Sequence, residues 1–268
     1  MNKYLDCPIS FYYEYILRVP GARSDALAFG IAVHYALEQL FRKMYQHPQK
    51  EFPDKEELFR FFQYALRREE SAFTEQQFTR RRELGIQILG EYYDHYIRSF
   101  NRHIIAEYNI PYVAMDGVPL KGKLDKVTFN GADCTVIDYK TGSPDYAGRY
   151  QLSGPTESHP YGGDYWRQMV FYRILLENHT PARSWRMIAG VFDFIEKNRK
   201  GDFVQYTVPI DDESVRIVKE QIKMVYAKIM NREFDQGCGK EECPWCRFAR
   251  QYQLERPPAG MAEEAALL

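Results

Sequence analysis

The feature that most limits what this chain can become is a change of period at Ile104. Before it, apolar residues recur at helical spacing over residues 4–17, closed by Pro20-Gly21, and again over 26–45, 55–73 and 80–100. In the last of these, Leu84, Ile88, Leu89, Tyr92 and Tyr96 form one apolar stripe. After Ile104 the period falls to two: residues 104–114, 119–129 and 135–139 read as strands of a meander, the last two joined through Asn130-Gly131. A loop rich in Gly, Pro and Ser (142–163) leads into a helix over 165–178. Strands over 185–194 and 203–208 then turn at Lys200-Gly201, and a last helix covers 212–231. The order predicts one α/β domain over 1–256, with a helical part to about 102, an α/β core over 103–210, and a C-terminal helix with a cysteine cluster over 211–250. The tail 257–268 is expected to be mobile.

With 45% hydrophobic and 15% aromatic residues the chain can fill a core, so disorder is not the expectation. No apolar run approaches the roughly 20 residues of a membrane span, and no secretory signal opens the chain; a cytoplasmic protein without membrane contact is expected. The formal net charge of -1 gives no global attraction for nucleic acid, so a DNA-binding surface has to be local. Arg67 and Arg68, Arg80 to Arg82 and residues 197–200 are either such contacts or solvated faces. Five cysteines is an odd and sparse count for a disulfide framework, and three of them crowd into Cys238, Cys243 and Cys246.

Chemistry concentrates in Val136-Ile137-Asp138-Tyr139-Lys140-Thr141-Gly142. A strand's period of two puts Asp138 and Lys140 on one face and Ile137 and Tyr139 on the other. The preceding strand carries Gly122-Lys123-Leu124-Asp125, and a hairpin through Asn130-Gly131 lets Asp125 converge on Asp138. Two carboxylates and an amine suit phosphodiester hydrolysis assisted by a hard cation, Mg2+ or Mn2+. A surface salt bridge uses the same residue types at the same spacing, so spacing alone leaves both readings open. Gln168 and Tyr172 share a helix face and can position a substrate strand or simply pack.

The ordered motifs resemble the PD-(D/E)XK nuclease superfamily, in its RecB-like branch of helicase-linked recombination nucleases and CRISPR-adaptation exonucleases. Gly30-Ile31-Ala32-Val33-His34 looks like that branch's helical Gly-x-x-x-His motif, Gly122 to Asp125 its Gly-x-x-Asp motif, and Asp138-Tyr139-Lys140-Thr141-Gly142 its Asp-Tyr-Lys-Thr-Gly signature. Gln168 and Tyr172 resemble its Gln-x-x-x-Tyr motif. The resemblance implies a restriction-endonuclease-like fold, a central mixed sheet flanked by helices, after a helical N-terminal region. It implies that His34, Asp125, Asp138 and the backbone carbonyl of Tyr139 hold metal, that Lys140 is the catalytic lysine, and that Gln168 and Tyr172 belong to the site. Glu107 is left outside as an exposed strand residue.

Cys243-Pro244-Trp245-Cys246 is a two-cysteine knuckle that Cys238 can join. Relatives in the branch often clamp the ends of the domain with a [4Fe-4S] cluster, which implies Cys7 as the fourth ligand. The branch's usual last cysteine falls at Tyr252, so Cys238 has to substitute, and zinc is the alternative occupant. Cys134 is expected to be a buried structural thiol.

The function expected is a divalent-metal-dependent DNA nuclease acting as an exonuclease on DNA ends or single strands, working with a recombination or repair helicase of the UvrD/Rep type in cis or in trans. The sequence contains no Walker-type motif, so a motor would lie elsewhere, and an opening at the Tyr-Leu-Asp-Cys-Pro motif is consistent with a domain of a larger protein. A stand-alone CRISPR-adaptation-type exonuclease and a non-catalytic DNA-binding module are the alternatives.

Overall fold

The computed structural model describes residues 1–21 and 24–252, so the tail expected to be mobile lies outside the described residues. The chain forms two compact units: a larger one that follows Gly21 and ends at Lys219, and a smaller one of Met1–Gly21 with the segment from Glu220 onward.

In the larger unit, helices α3 (Asp25–Gln46), α4 (Lys55–Arg68) and α5 (Glu75–Tyr96) precede the strands. Each starts at an N-cap side chain that accepts from the third residue on: Ser24 from the Leu27 amide, Asp54 from Glu57, and Thr74 from Gln77. At Thr74 the cap's own backbone amide donates in turn to the Gln77 side chain, a complete capping box, which is why α5 begins five residues before the helix expected over 80–100. Strands β1 (Ile104–Met115), β2 (Val118–Asn130), β3 (Asp133–Lys140), β4 (Arg186–Phe194) and β5 (Gln205–Pro209) form one sheet in sequence order. All neighbours are antiparallel except β3 and β4, which are parallel and joined through α6 (Asp164–Asn178). The expected mixed sheet flanked by helices is therefore the fold observed.

The two faces of β3 explain the layering. Tyr139 joins a core of Phe29, Val33, Leu37, Phe41, Phe62, Leu89 and Tyr92 from α3 to α5, whereas Asp138 and Lys140 meet α6. Closeness of α6 depends on Gly122 in β2, where a Cβ would lie 2.3 Å from Leu175 Cδ1. A side chain there has to displace the buried Leu175 side chain, an overpacking worth about 1–3 kcal/mol.

The smaller unit starts with α1 (Asn2–Asp6) and α2 (Pro8–Phe11), the latter continuing as a π turn over Tyr12–Ile16. One helix over 4–17 was expected; Cys7 instead breaks it, extended at φ -160°, ψ 105°. Pro8 excludes the helical region for the residue before it and then occupies the first helical position of α2, where a missing N–H does no harm. Helix α7 (Asp212–Met230) enters this unit and α8 (Pro244–Gln251) follows. Aromatic pairs fill its centre: Tyr4 sits edge-on to Phe11 and Phe234, and Tyr13 stacks on Trp245 at 4.8 Å.

Candidate active site

Five elements of the larger unit, α3, β1, β2, β3 and α6, meet at one open pocket. Helix α3 brings His34 there because Gly30, one turn earlier, lets the helix approach β3: a Cβ on it would lie 3.3 Å from Thr141 Oγ1. In the β2–β3 ladder Lys126 pairs with Ile137, so the next pair in the same register is Asp125 with Asp138, the convergence expected from the hairpin. Asp125 Oδ2 accepts from the Tyr139 amide at 2.9 Å and lies 3.4 Å from His34 Nδ1, while His34 Nε2 donates to the Tyr139 carbonyl at 3.1 Å. The imidazole thus bridges a side chain and a backbone oxygen of adjacent strands.

Asp138 is held from the other side. Its Oδ1 accepts from Gln168 Nε2 at 2.7 Å and from the Tyr172 hydroxyl at 3.0 Å, both on α6. Its Oδ2 stands 2.6 Å from the Lys140 ammonium as an ion pair outside hydrogen-bond alignment. Lys140 also donates to Gln168 Oε1 at 3.3 Å and lies about 5 Å over the rings of Tyr165 and Phe192. Gln168 and Tyr172, read from the sequence as substrate-positioning candidates, are here the groups that orient Asp138.

The residue that sequence reasoning left out is Glu107. Pairs Ala106–Lys126 and Tyr108–Leu124 place it across from Asp125, and one donor atom from each of His34, Glu107 and Asp125 lies within 4.8 Å of the others. Glu107 has φ +54°, the left-handed region, at a strain of about 1–3 kcal/mol for a residue other than glycine. That conformation breaks the strand's alternation: Ala106 packs on the helical core, but Tyr108 turns to His179 and Trp185. Lys123 pairs with the Glu107 carboxylate. Asp138 lines the same pocket, but its oxygens are engaged as described and it stands outside the trio.

Electrostatics in the pocket favour an added positive charge. Burial raises the Asp138 pKa, with Asp125 adding to the effect and Lys140 and His34 opposing it. Burial also raises Glu107 against the pull of Lys123, with Asp125 and Glu38 pushing further upward. At His34 burial works against the imidazolium, yet Asp125, with Asp138 and Glu107 behind it, outweighs burial and raises the pKa. Carboxylates that resist ionising together are carboxylates a cation would relieve.

None of the residues named as local DNA contacts, Arg67, Arg68, Arg80 to Arg82 and 197–200, lines this pocket. Arg81 is structural, paired with Asp25 and packed over Phe29; Arg68 lies over Tyr64 and Lys197 pairs with Glu91. Arg199, well exposed, lies over Tyr146 in the loop after β3.

In the smaller unit Cys7, Cys238, Cys243 and Cys246 come together, all free thiols with sulfurs within 4.8 Å of one another. The Cys243 thiol is pulled down to about 6: burial opposes its ionisation, and hydrogen bonds from Ser10 and the Cys246 backbone outweigh burial. Burial pushes Cys246 up to about 12. Cys134 is buried in β3 of the larger unit, its thiol pushed up to about 11 by burial.

Residues 1–251 match the PD-(D/E)XK nuclease superfamily. The chain belongs to this superfamily. Among solved structures, it is similar to a "Putative exonuclease" from Eubacterium rectale, at 14% identity and TM-score 0.51, over 98% of this chain and 87% of that one. SSO0001 aligns at 14% identity and TM-score 0.36, over 91% of this chain and 92% of that one. No curated protein matches. At such identity the Eubacterium rectale likeness is one of fold, and with the family match it makes this nuclease-superfamily chain a restriction-endonuclease-like α/β protein. Among the described residues no helix is long and apolar enough to cross a membrane.

Proposed function

We propose that the pocket is the centre of a divalent-metal-dependent deoxyribonuclease that works from DNA ends or on single strands. The observation that carries this reading is the convergence of His34, Glu107 and Asp125 beside the Asp138–Lys140 pair in one open pocket. Oxygen donors and one imidazole suit a hard cation such as Mg2+ or Mn2+, and burial, with Asp125 adding to it, raises the pKa of both Glu107 and Asp138, a cost that a bound cation would offset. His34, Asp125, Asp138 and the Tyr139 carbonyl would hold the ion, with Glu107 as a further donor. When bound, the ion supplies charge neutralisation at the phosphate and an activated water.

The chain's own groups do the rest. Gln168 and Tyr172 fix the rotamer of Asp138, so that its second oxygen faces the pocket and Lys140. Lys140 holds an ammonium where negative charge would develop on the phosphate, its position set by Asp138 and Gln168. His34 keeps Asp125 and the end of β3 in register through contacts to both.

Single-stranded substrate is favoured by the loop after β3. Tyr146 is 76% and Tyr150 54% exposed, and Tyr150 stacks on His159 at 5.0 Å and 22°. The loop joins β3, which carries Lys140, to α6, which carries Gln168, and is anchored at Gly163, the N-cap of α6, where a Cβ would lie 2.2 Å from the Tyr150 carbonyl. Exposed aromatic rings on the segment between these two elements suit unpaired bases, which stack without regard to sequence. A motor of the UvrD/Rep helicase type would come from another segment or chain, since the sequence holds no Walker-type motif.

The test is degradation of end-labelled single- and double-stranded DNA with Mg2+, Mn2+ or chelator, comparing wild type with Lys140→Ala. Metal-dependent loss of label from the end, absent in the variant, is expected. Binding without cleavage under every condition would leave a DNA-binding module instead.

A further inference from the structure

Outside the pocket, the densest gathering of reactive side chains is the thiol set of the smaller unit, where Cys7 comes from the start of the described chain and Cys238, Cys243 and Cys246 from its end. We propose that these four cysteines bind one tetrahedral zinc ion, and not the [4Fe-4S] cluster that the family resemblance implies. Spacing decides between the two groups. The sulfurs of Cys7 and Cys246 are 3.5 Å apart, those of Cys238 and Cys246 3.7 Å, and those of Cys7 and Cys243 4.0 Å. These distances are about twice a disulfide bond, so the thiols are gathered without being oxidised. Bonds of about 2.3 Å to one ion at tetrahedral angles put neighbouring sulfurs about 3.8 Å apart. All four atoms lie within 4.8 Å of one another, as a single shared ion requires. Thiolates on a [4Fe-4S] cube each bind a different iron and point outward from its corners, so they stand wider apart than thiolates that meet at one metal.

The surroundings are built for this closeness. Gly237 leaves room that a side chain would fill, its Cβ position being 3.1 Å from Cys246 Sγ. The Ser10 amide donates to Cys7 Sγ at 3.4 Å, and Ser10 Oγ, itself buried, lies 3.4 Å from Cys243 Sγ. Cys243 sits at the N-cap of α8, whose unpaired amides and positive dipole end favour sulfur carrying negative charge. Four protein ligands leave no open position, so the ion is structural: it ties the Cys7-Pro8 break to the Cys-Pro-Trp-Cys knuckle in a unit too small to rely on its aromatic core alone.

The experiment is metal analysis of the full chain, purified without oxygen from cells supplied with both zinc and iron, together with its visible spectrum. About one zinc per chain, with neither the brown absorption of iron–sulfur nor acid-labile sulfide, is expected. Four irons with sulfide, or no metal at all, would overturn the proposal. Titration of the folded wild type with an organomercurial should release the zinc as four thiols react, whereas zinc released after a single thiol would also overturn it. Cys134→Ser, a thiol of the other unit, should retain the zinc, and Cys238→Ser should lose it; loss in both or in neither would count against the assignment.

Discussion

In the larger unit the proposed cation donors are oxygens and one imidazole, carried on adjacent strands and a helix packed beside them, half-buried and facing an open pocket. In the smaller unit they are four sulfurs from segments more than two hundred residues apart, close enough together to close around one ion. In the first arrangement burial and a neighbouring carboxylate raise both Asp138 and Glu107, although each is paired with a lysine. The second has backbone and hydroxyl partners for its sulfurs. An open site that strains its own donors is poised for exchange and catalysis, and a closed one for holding structure; the difference gives the two sites opposite sensitivities.

The largest effect that would break this comparison is at Asp138. Asp138→Ala should lower the cleavage rate by roughly a thousand-fold or more, yet leave the melting temperature in chelator unchanged or higher, because a buried carboxylate is removed. A variant that loses stability as well as activity would make Asp138 structural and erase the contrast. Cys246→Ser should do the reverse, lowering the melting temperature by roughly 6–12 °C if about 3 kcal/mol of metal-linked stability is lost. Differential scanning of metal-replete protein measures it, and an unchanged midpoint would remove the closed site from the comparison.

A finer test falls on Glu107. Glu107→Gln keeps the size and removes the charge, so the metal concentration for half-maximal cleavage should rise roughly 10- to 100-fold while the rate at saturating metal changes little. A fall in saturated rate with unchanged metal dependence would move Glu107 from ion binding to the chemistry. Tyr150→Ala should weaken single-strand use by roughly five-fold or more in KM at constant kcat, with a smaller change on duplex, one stacked base being worth about 1–3 kcal/mol. Equal effects on both substrates would deny the loop a role in choosing between them.

How far each region could be read from sequence follows from what encodes it. Period two in β3 separates Asp138 and Lys140 from Tyr139, and that signal is local and visible. The register that carries Asp125 to Asp138 is set by a turn at Gly131-Ala132, one residue beyond the Asn130-Gly131 that the sequence suggests, with Asn130 still paired in β2. Glu107 was not visible, because its place depends on a different register: the Asp116-Gly117 turn, both residues at positive φ, and an irregularity between Ile110 and Val113 together bring it opposite Asp125. Its own left-handed backbone then breaks the alternation that a strand reading relies on. The start of α5 was legible as Thr74 with Gln77 three residues on, but the apolar stripe drew attention further along. The cysteines were visible as a set, whereas their separation, which distinguishes one ion from a cluster, exists only in three dimensions.

The smallest effect concerns a buried acid that neither donor set uses. Asp193 in β4 is 2% exposed; its Oδ2 accepts from the Tyr92 hydroxyl at 2.6 Å, and its Oδ1 has no well-formed hydrogen bond among the described residues. Burial raises its pKa, only partly offset by the Tyr92 bond and the buried Lys126 ammonium. A carboxyl raised on folding binds its proton more tightly in the folded state. Its contribution is therefore full below the unfolded value of about 3.9 and is lost as pH rises through the higher folded value. Asp193→Asn cannot lose that proton, so the stability of wild type relative to the variant should fall as pH rises from about 4 toward neutrality, by about 1.4 kcal/mol for each unit of displacement. Thermal denaturation in chelator across that range reads it without interference from bound metal. Parallel curves for the two proteins would mean that Lys126 fully compensates the buried charge, and that the core between the sheet and α3–α5 carries no strain comparable to that of the pocket.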